Sequence, residues 1–133
     1  MPVIEILSPR HEADLLQTKE IFLTYAKAIN IDLCFQDFDT ELANLPGDYS
    51  PPRGALLLAW VDQKLAGCCA MRPIDSSDYA NASEMKRLFV RPEFRGLGLG
   101  RQLAESIIDA ARMSGYDSVL LDTLDDMEIA RAM

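Results

Sequence analysis

The sequence has little of the material from which metal sites and disulfide networks are built. It contains three cysteines and a single histidine, His11, and it has no Cys-x-x-Cys pair. A zinc site or a histidine-dependent catalytic triad would therefore have almost no side chains to draw on. Cys68 and Cys69 are adjacent, so in a strand their side chains would point to opposite faces. We expect no bound metal and no disulfide framework, and we predict free, buried thiols in a reducing cytoplasm.

Long apolar segments are also absent. No apolar run approaches the roughly 20 residues that are needed to cross a bilayer, and no signal peptide is visible at the N-terminus. The chain has 133 residues, of which 49% are hydrophobic and 26% are charged, as in ordinary soluble domains. These values predict one domain over residues 1–133, a cytoplasmic location and no membrane partner.

Net positive charge is lacking as well. The formal net charge is −8 at pH 7, which argues against a nucleic-acid partner, because a phosphate backbone needs a basic surface. The charge is uneven, however, since residues 86–101 hold five basic side chains and only one acid, Glu93. A basic segment in an acidic protein indicates one local anionic ligand. Clustering on a solvated face is the alternative when charge is considered alone.

Hydrophobic periodicity and turn residues predict the element order β-α-(α)-β-β-β-α-β. The first helix is expected to be capped by Ser8-Pro9 and to end at Asn30. A further helix follows a glycine-rich loop, spans about 16 residues and stops at Gly115. The remaining predicted elements are strands 3–7, 55–61, 65–71, 84–90 and 118–121, a short helix 38–45, a hairpin turn 62–64, a loop 74–81 and a helix starting at Met127.

The strongest motif is a strand, then the loop Arg95-Gly96-Leu97-Gly98-Leu99-Gly100, then an amphipathic helix. The first amides of a helix lack intrahelical acceptors, and the helix dipole adds partial positive charge there. Glycines let a phosphate approach the backbone closely, and Arg95 and Arg101 can add charge-assisted hydrogen bonds. The pattern predicts a phosphate-binding loop, with a ligand-free turn as the alternative. It lacks the Lys-Ser/Thr end of a Walker loop and the third glycine of a dinucleotide fingerprint.

Residues 84–100 closely resemble the central motif of the GNAT N-acetyltransferase superfamily. That motif joins a strand, its Val-Arg-Pro end, an Arg-x-x-Gly-x-Gly loop and a helix in this order. The resemblance covers most of the chain and implies an α/β (α+β) fold, in which helices flank a mixed, mostly antiparallel sheet and one parallel β-loop-α-β unit carries the pyrophosphate loop. It also implies acetyl-CoA as the acyl donor, a small-molecule or peptide amine as the acceptor, direct transfer in a ternary complex, and a homodimer as a common assembly.

The resemblance also assigns roles to positions of this sequence. Amides from Gly96 to Arg101 would hold the pyrophosphate, while the backbone of residues 88–90 would pair with the pantetheine arm and polarise the thioester carbonyl. The implied cofactor-binding residues are Leu88, Phe89, Val90, Arg95, Gly96, Leu97, Gly98, Leu99, Gly100 and Arg101. Strict alternation in this strand would put charged and core residues on one face, namely Glu84, Lys86, Leu88 and Val90. Such a conflict indicates a β-bulge.

Glu84 is the candidate catalytic residue, as a general base that takes a proton from the attacking amine, directly or through water. The alternative is a surface carboxylate paired with Lys86 or Arg87. Cys68 and Cys69 have no histidine nearby to activate them, so we do not expect them to carry the acyl group. Four residues of the variable region are candidates for contacting a cationic acceptor, or for a solvated loop: Asp37, Asp39, Asp48 and Tyr49.

The sequence departs from the family pattern at its C-terminal end. Family members usually continue from the strand at 118–121 into a helix whose tyrosine protonates the leaving thiolate, and then into two more strands. Residues 127–133 match only the first turns of that helix, so we expect that a natural C-terminal segment is missing. Three functions stay open: an active N-acetyltransferase, a non-catalytic acyl-CoA-binding module of the same fold, and a nucleotide-phosphate-binding domain of another fold.

Overall fold

The computed structural model describes residues 2–28, 38–74 and 81–121, which form one five-stranded sheet flanked by helices. The strands are β1 Ile4–Leu7, β2 Ala55–Val61, β3 Lys64–Ile74, β4 Ala82–Val90 and β5 Ser118–Leu121, and the helices are α1 Glu12–Ala28, α2 Phe38–Ala43 and α3 Leu99–Met113. The sheet order follows the chain, with β1 to β4 antiparallel and β5 parallel to β4. The expected fold class is confirmed. The predicted helix from Met127 lies outside the described residues.

The sheet separates two hydrophobic clusters. One lies against α1 and α2 and contains Phe22 and Leu58, while the other lies against α3 and is built on its fully apolar stripe. Every fourth residue of α3 is buried in that second cluster: Leu99, Leu103, Ile107 and Ala111. Cys68 belongs to the first cluster and Cys69 to the second, and both are buried and free of disulfides. The predicted buried thiols on opposite faces are confirmed for this pair.

The start of α1 differs from the predicted cap at Ser8-Pro9, because the helix begins at Glu12. The Asp14 carboxylate accepts hydrogen bonds from the backbone N–H groups of Arg10, at 3.0 Å, and His11, at 3.3 Å. The side chain thus reaches back to amides that have no acceptor inside the helix. The hydrogen bond from Arg10 is the main reason why the pKa of Asp14 lies below its usual value.

The bounds of β3, β4 and α2 also differ from the predicted ones. For the two strands, the reason is that their pairing continues past the predicted ends. β3 was expected to end at residue 71 and β4 to start at residue 84, but their ladder extends to the Ile74–Ala82 pair. The helix α2 ends at Ala43 rather than at residue 45. The hairpin turn between β2 and β3 is confirmed, with Asp62 and Gln63 in the left-handed region at φ 49° and 70°. None of the described helices is long and apolar enough to span a membrane.

Replacing Asp14 with alanine should lower the free energy of unfolding at pH 7 by about 1 kcal/mol, as for other helix N-terminal caps. The pKa of Asp14 is lower in the folded protein than in the unfolded chain, where 3.8 is usual. Its contribution is therefore present above the unfolded pKa and is lost as the pH falls through the folded pKa. Urea unfolding, followed by circular dichroism in a pH series, measures this dependence. An Asp14→Ala cost that is the same at every pH would contradict it, and Asp14→Asn is the control without a titrating charge.

Candidate functional site

The strand β4 contains a bulge at Arg87. In the ladder with β3, Cys68 lies opposite Phe89 and Ala70 lies opposite Lys86, so β4 has one extra residue in this interval. Arg87 adopts a φ of 62°, in the left-handed region that side chains rarely enter. The bulge predicted from the conflict between charge and core is confirmed.

The bulge sorts the side chains of β4 between the two faces of the sheet. Leu88 and Val90 join Met85 in the cluster under α3. Glu84 is next to Met85 in the regular part of the strand, so its side chain points to the opposite face, that of α1 and α2. Its cross-strand partner, Arg72 on β3, shares this face. Glu84 and Lys86 are thereby separated from Leu88 and Val90, which strict alternation would place on the same face.

The Arg87 side chain ties the bulge to the helices above it. Its Nε and Nη2 donate to the Glu41 carboxylate at 3.0 and 2.7 Å, and its side chain is only 3% exposed. The guanidinium carbon lies 5.7 Å from the ring centre of Tyr25 and 5.4 Å from that of Phe38. Burial opposes the charge, but the hydrogen bonds with Glu41 raise the pKa of Arg87 above its ordinary value. From the sequence, Arg87 is expected in the basic segment and as a partner for Glu84, but no periodicity marks its pairing with Glu41, 46 residues away.

The buried cysteines at this site are inert. The Cys68 thiol donates to the carbonyl oxygen of Arg87 at 3.1 Å, and burial raises the pKa of both Cys68 and Cys69. Neither therefore supplies the thiolate that nucleophilic catalysis needs. Across residues 2–28, 38–74 and 81–121, no group of three or more His, Cys, Asp and Glu side chains is arranged to hold a metal ion.

The backbone of β4 beyond the bulge offers hydrogen-bonding groups along one edge. The parallel pairing with β5 covers Ala82–Met85, and no further pairing on this edge occurs among the described residues. The Arg91 N–H donates to the Ala66 carbonyl of β3 at 2.8 Å. Because successive residues point their N–H and C=O groups to opposite edges, those of Leu88 and Val90 point away from β3. An extended ligand could pair with this edge as an added strand.

The glycine loop follows the 3₁₀ turn Pro92–Phe94 after β4 and ends at the N-terminus of α3. Gly96 and Gly98 have φ values of 93° and 77°, and open space lies where their side chains would be. The first intrahelical hydrogen bond runs from the Gln102 N–H to the Gly98 carbonyl at 3.1 Å. The N–H groups of residues 99–101 therefore have no acceptor within the helix and point out of its end.

Some side chains of the loop are buried in the core, and others are exposed to solvent. Leu99 is 1% exposed and holds the start of α3 in the core, whereas Leu97 is 38% exposed. The exposed Arg95 donates from Nε to the Val90 carbonyl at 3.2 Å. Arg101 is also exposed and pairs with Glu105, one helical turn further on, at 3.1 Å. The loop therefore has a fixed base and two accessible guanidinium groups.

Glu84 forms an ion pair with Arg72. The Arg72 Nε donates to Glu84 Oε1 at 3.0 Å, and the side chains are 41% and 18% exposed, respectively. The candidate base is thus held in one orientation by a residue that sequence reasoning did not consider. Arg87, one of its expected partners, pairs with Glu41 instead.

A cleft of about 300 Å³ lies between α2, the 3₁₀ turn Gly47–Tyr49 and Arg72. Its lining residues are Thr40, Glu41, Asn44, Pro46, Asp48, Tyr49 and Arg72. Burial and the hydrogen-bonded Glu41 carboxylate raise the pKa of Tyr49, so its phenol is neutral. Of the four predicted acceptor contacts, Asp48 and Tyr49 lie here. Asp37 and the side chain of Asp39 are outside the described part of the chain.

Comparisons with known proteins agree with this architecture. The sequence profile of the acetyltransferase (GNAT) family matches residues 16–133. An uncharacterized N-acetyltransferase of Schizosaccharomyces pombe is 41% identical over 125 residues, which cover 93% of this chain and 75% of the relative. A GNAT-family acetyltransferase of Staphylococcus aureus superposes with a TM-score of 0.75 at 25% identity, over 92% of this chain and 74% of that one. A GNAT-family acetyltransferase of Brucella melitensis, solved with acetyl-CoA, superposes with a TM-score of 0.73 at 16% identity, over 95% and 78%.

The buried ion pair predicts a large stability effect. Arg87→Met should lower the free energy of unfolding by about 3 kcal/mol, because it leaves the Glu41 carboxylate largely buried without its partner. The double variant Arg87→Met/Glu41→Met should recover most of this loss, since neither charge then remains. Arg101→Met is the control, because its ion pair is exposed and should contribute less than about 1 kcal/mol. Urea unfolding measures all four proteins, and equal losses in the single and double variants would argue against the pair.

Proposed function

The chain belongs to the acetyltransferase (GNAT) family, and from this premise we propose that it is an acetyl-CoA-dependent N-acetyltransferase. The proposed reaction transfers the acetyl group directly from acetyl-CoA to a primary amine of a small molecule or peptide, within a ternary complex. The observation that carries the proposal is the junction of β4 and α3. There, an open strand edge runs into a glycine loop at a helix N-terminus, so a thioester and a pyrophosphate could bind to one continuous segment.

Backbone N–H groups without an acceptor in the helix support the proposed pyrophosphate site. The N–H groups of Leu99, Gly100 and Arg101 point out of α3, and the helix dipole favours a negative charge at that point. Gly96 and Gly98 carry no side chain into the open space above the loop. The exposed Arg95 and Arg101 would add charge-assisted hydrogen bonds to the phosphate oxygens.

The thioester half rests on the backbone edge of Leu88 to Val90. The Phe89 side chain is buried in one hydrophobic cluster and those of Leu88 and Val90 pack partly buried against the other, so the cofactor would meet mainly their backbone. Pairing with the pantetheine amides would place the thioester carbonyl close to the N–H groups that follow the bulge. A donor there stabilises the negative charge that develops on the carbonyl oxygen as the amine attacks.

Glu84 is the proposed general base. As the amine nitrogen forms its bond to the acetyl carbon, Glu84 takes a proton from it, directly or through a water molecule. The carbon–sulfur bond then breaks, and the CoA thiolate leaves and takes up a proton. The hydrogen bond from Arg72 holds one oxygen of Glu84, which leaves the other oxygen for the proton transfer.

Gly98→Val should reduce the affinity for CoA at least about tenfold, because the side chain would occupy the space where the phosphate approaches the backbone. Gly115→Val is a matched control at the other end of α3. Gly115 also has a positive φ, at 88°, and no atoms around its missing side chain, so the backbone strain is comparable. Isothermal titration with acetyl-CoA measures both variants. Equal affinity losses would mean that the loop does not hold the pyrophosphate.

Glu84→Gln should lower kcat about 100-fold and leave the affinity for acetyl-CoA unchanged, because it removes only the proton acceptor. A thiol-release assay over a pH series and a panel of amines measures this effect. Asp109→Asn, at an exposed ion pair on α3, is the control. A full rate in Glu84→Gln would reject Glu84 as the base. Tight binding of acetyl-CoA with no thiol release for any amine would favour the non-catalytic binding module.

A further inference from the structure

We propose that the cleft beside Glu84 binds an acceptor with a carboxylate next to its amine, namely a free α-amino acid, and that Arg72 recognises that carboxylate. This inference rests on the proposed acetyltransferase function. It is carried by the position of Arg72, which contacts Glu84 on one side and lines the cleft on the other.

Arg72 has hydrogen-bond donors to spare. A guanidinium carries five N–H donors in a planar fork, and here only Nε donates, to Glu84. The terminal nitrogens have no hydrogen bond to another residue in the described part of the chain. Since the side chain is 41% exposed and borders the cleft, these nitrogens can receive a carboxylate in the two-pronged geometry that arginine favours.

The charges around the cleft fit a molecule that carries both signs. The Glu41 carboxylate is already engaged by two nitrogens of Arg87. Asp48 has no ion pair within 4 Å among the described residues, and its charge interacts with Arg72 across the cleft. An amine without a carboxylate would bring no acceptor to the Arg72 donors and would leave them to solvent. A polyamine would bring a second positive charge against Arg72, beside the base.

The spacing selects an α-amino acid in particular. Arg72 Nε and Glu84 Oε1 are 3.0 Å apart, so the carboxylate-binding group and the proposed base are direct neighbours. An α-amino acid has its amine and its carboxylate on one carbon, so both groups can be bound by two adjacent side chains. The cleft of about 300 Å³ is at the lower end of the usual range for small-ligand sites, and Thr40 and Asn44 give it polar walls.

The test compares each standard amino acid with its α-amide and with its decarboxylated amine in the thiol-release assay. We expect the best acceptor to be a free amino acid, with a kcat/KM at least about tenfold above that of its amide, as for the loss of one charge-assisted hydrogen bond pair. Arg72→Gln should bring this ratio close to one, and Arg72→Lys should preserve part of it. The affinity for acetyl-CoA should be unchanged in both variants.

The ratio of acid to amide is the informative readout, because Arg72→Gln also releases Glu84 and is expected to lower kcat for every acceptor. Arg112→Gln is the control, since this exposed arginine has a similar ion pair with Asp109 on α3 and should keep the wild-type ratio. Amides or simple amines that react as well as the free acids would overturn the inference and leave the proposed function intact. An unchanged ratio in Arg72→Gln would overturn the assignment to Arg72.

Failure of the function itself gives a different result. If acetyl-CoA binds and no amine is acetylated, the proposed function fails. Isothermal titration of the same amino acids and amides into the CoA-loaded protein then tests the cleft directly. Binding of a free acid but not of its amide, lost in Arg72→Gln, would support the inference, and no binding of any free acid would overturn it.

Discussion

The rest of the structure depends on the buried ion pair between Arg87 and Glu41. Arg87 sits in a left-handed bulge of β4 with its charge almost fully buried, and such a group is stable only beside a carboxylate that satisfies it. Because Glu41 belongs to α2, this requirement places α2 over the bulge. It also places one wall of the proposed acceptor cleft, since Glu41 lines that cleft. One interaction therefore links the bulged strand to the helix that borders the proposed acceptor cleft.

The two faces of the sheet carry different parts of the proposed chemistry. On the α3 face, Leu88, Val90 and Leu99 pack in one cluster, so the strand edge and the glycine loop share a rigid base. On the other face, Arg87 contacts Glu41 of α2, and Arg72 holds Glu84. The bulge thus solves a sorting problem, because strict alternation would put charged and core side chains of β4 on one face.

Sequence patterns predicted correctly those elements whose signal lies within a few neighbouring residues. The apolar stripe of α3 and the hairpin turn at residues 62–64 are read directly from spacing and composition. The predicted boundaries are wrong where a residue outside the local pattern supplies hydrogen bonds. The Asp14 carboxylate moves the start of α1 past Ser8-Pro9. The ladder between β3 and β4 continues past the predicted strand ends to the Ile74–Ala82 pair, because the pairing supplies hydrogen bonds that local propensity does not encode.

By itself, the sequence determined the order of the elements, the bulge, and the glycine loop between a strand and a helix, since these follow from periodicity, charge and residue type along the chain, while its resemblance to the GNAT family implied the class of fold. Only the tertiary structure decided which charged groups meet. Glu84 contacts Arg72 across a strand ladder, and Arg87 contacts Glu41 across 46 positions of the chain. No periodic pattern specifies such pairs, because the first depends on the register of β3 and β4 and the second on how α2 packs on the sheet. These pairs border the proposed acceptor cleft, and for that reason the cleft became visible only in three dimensions.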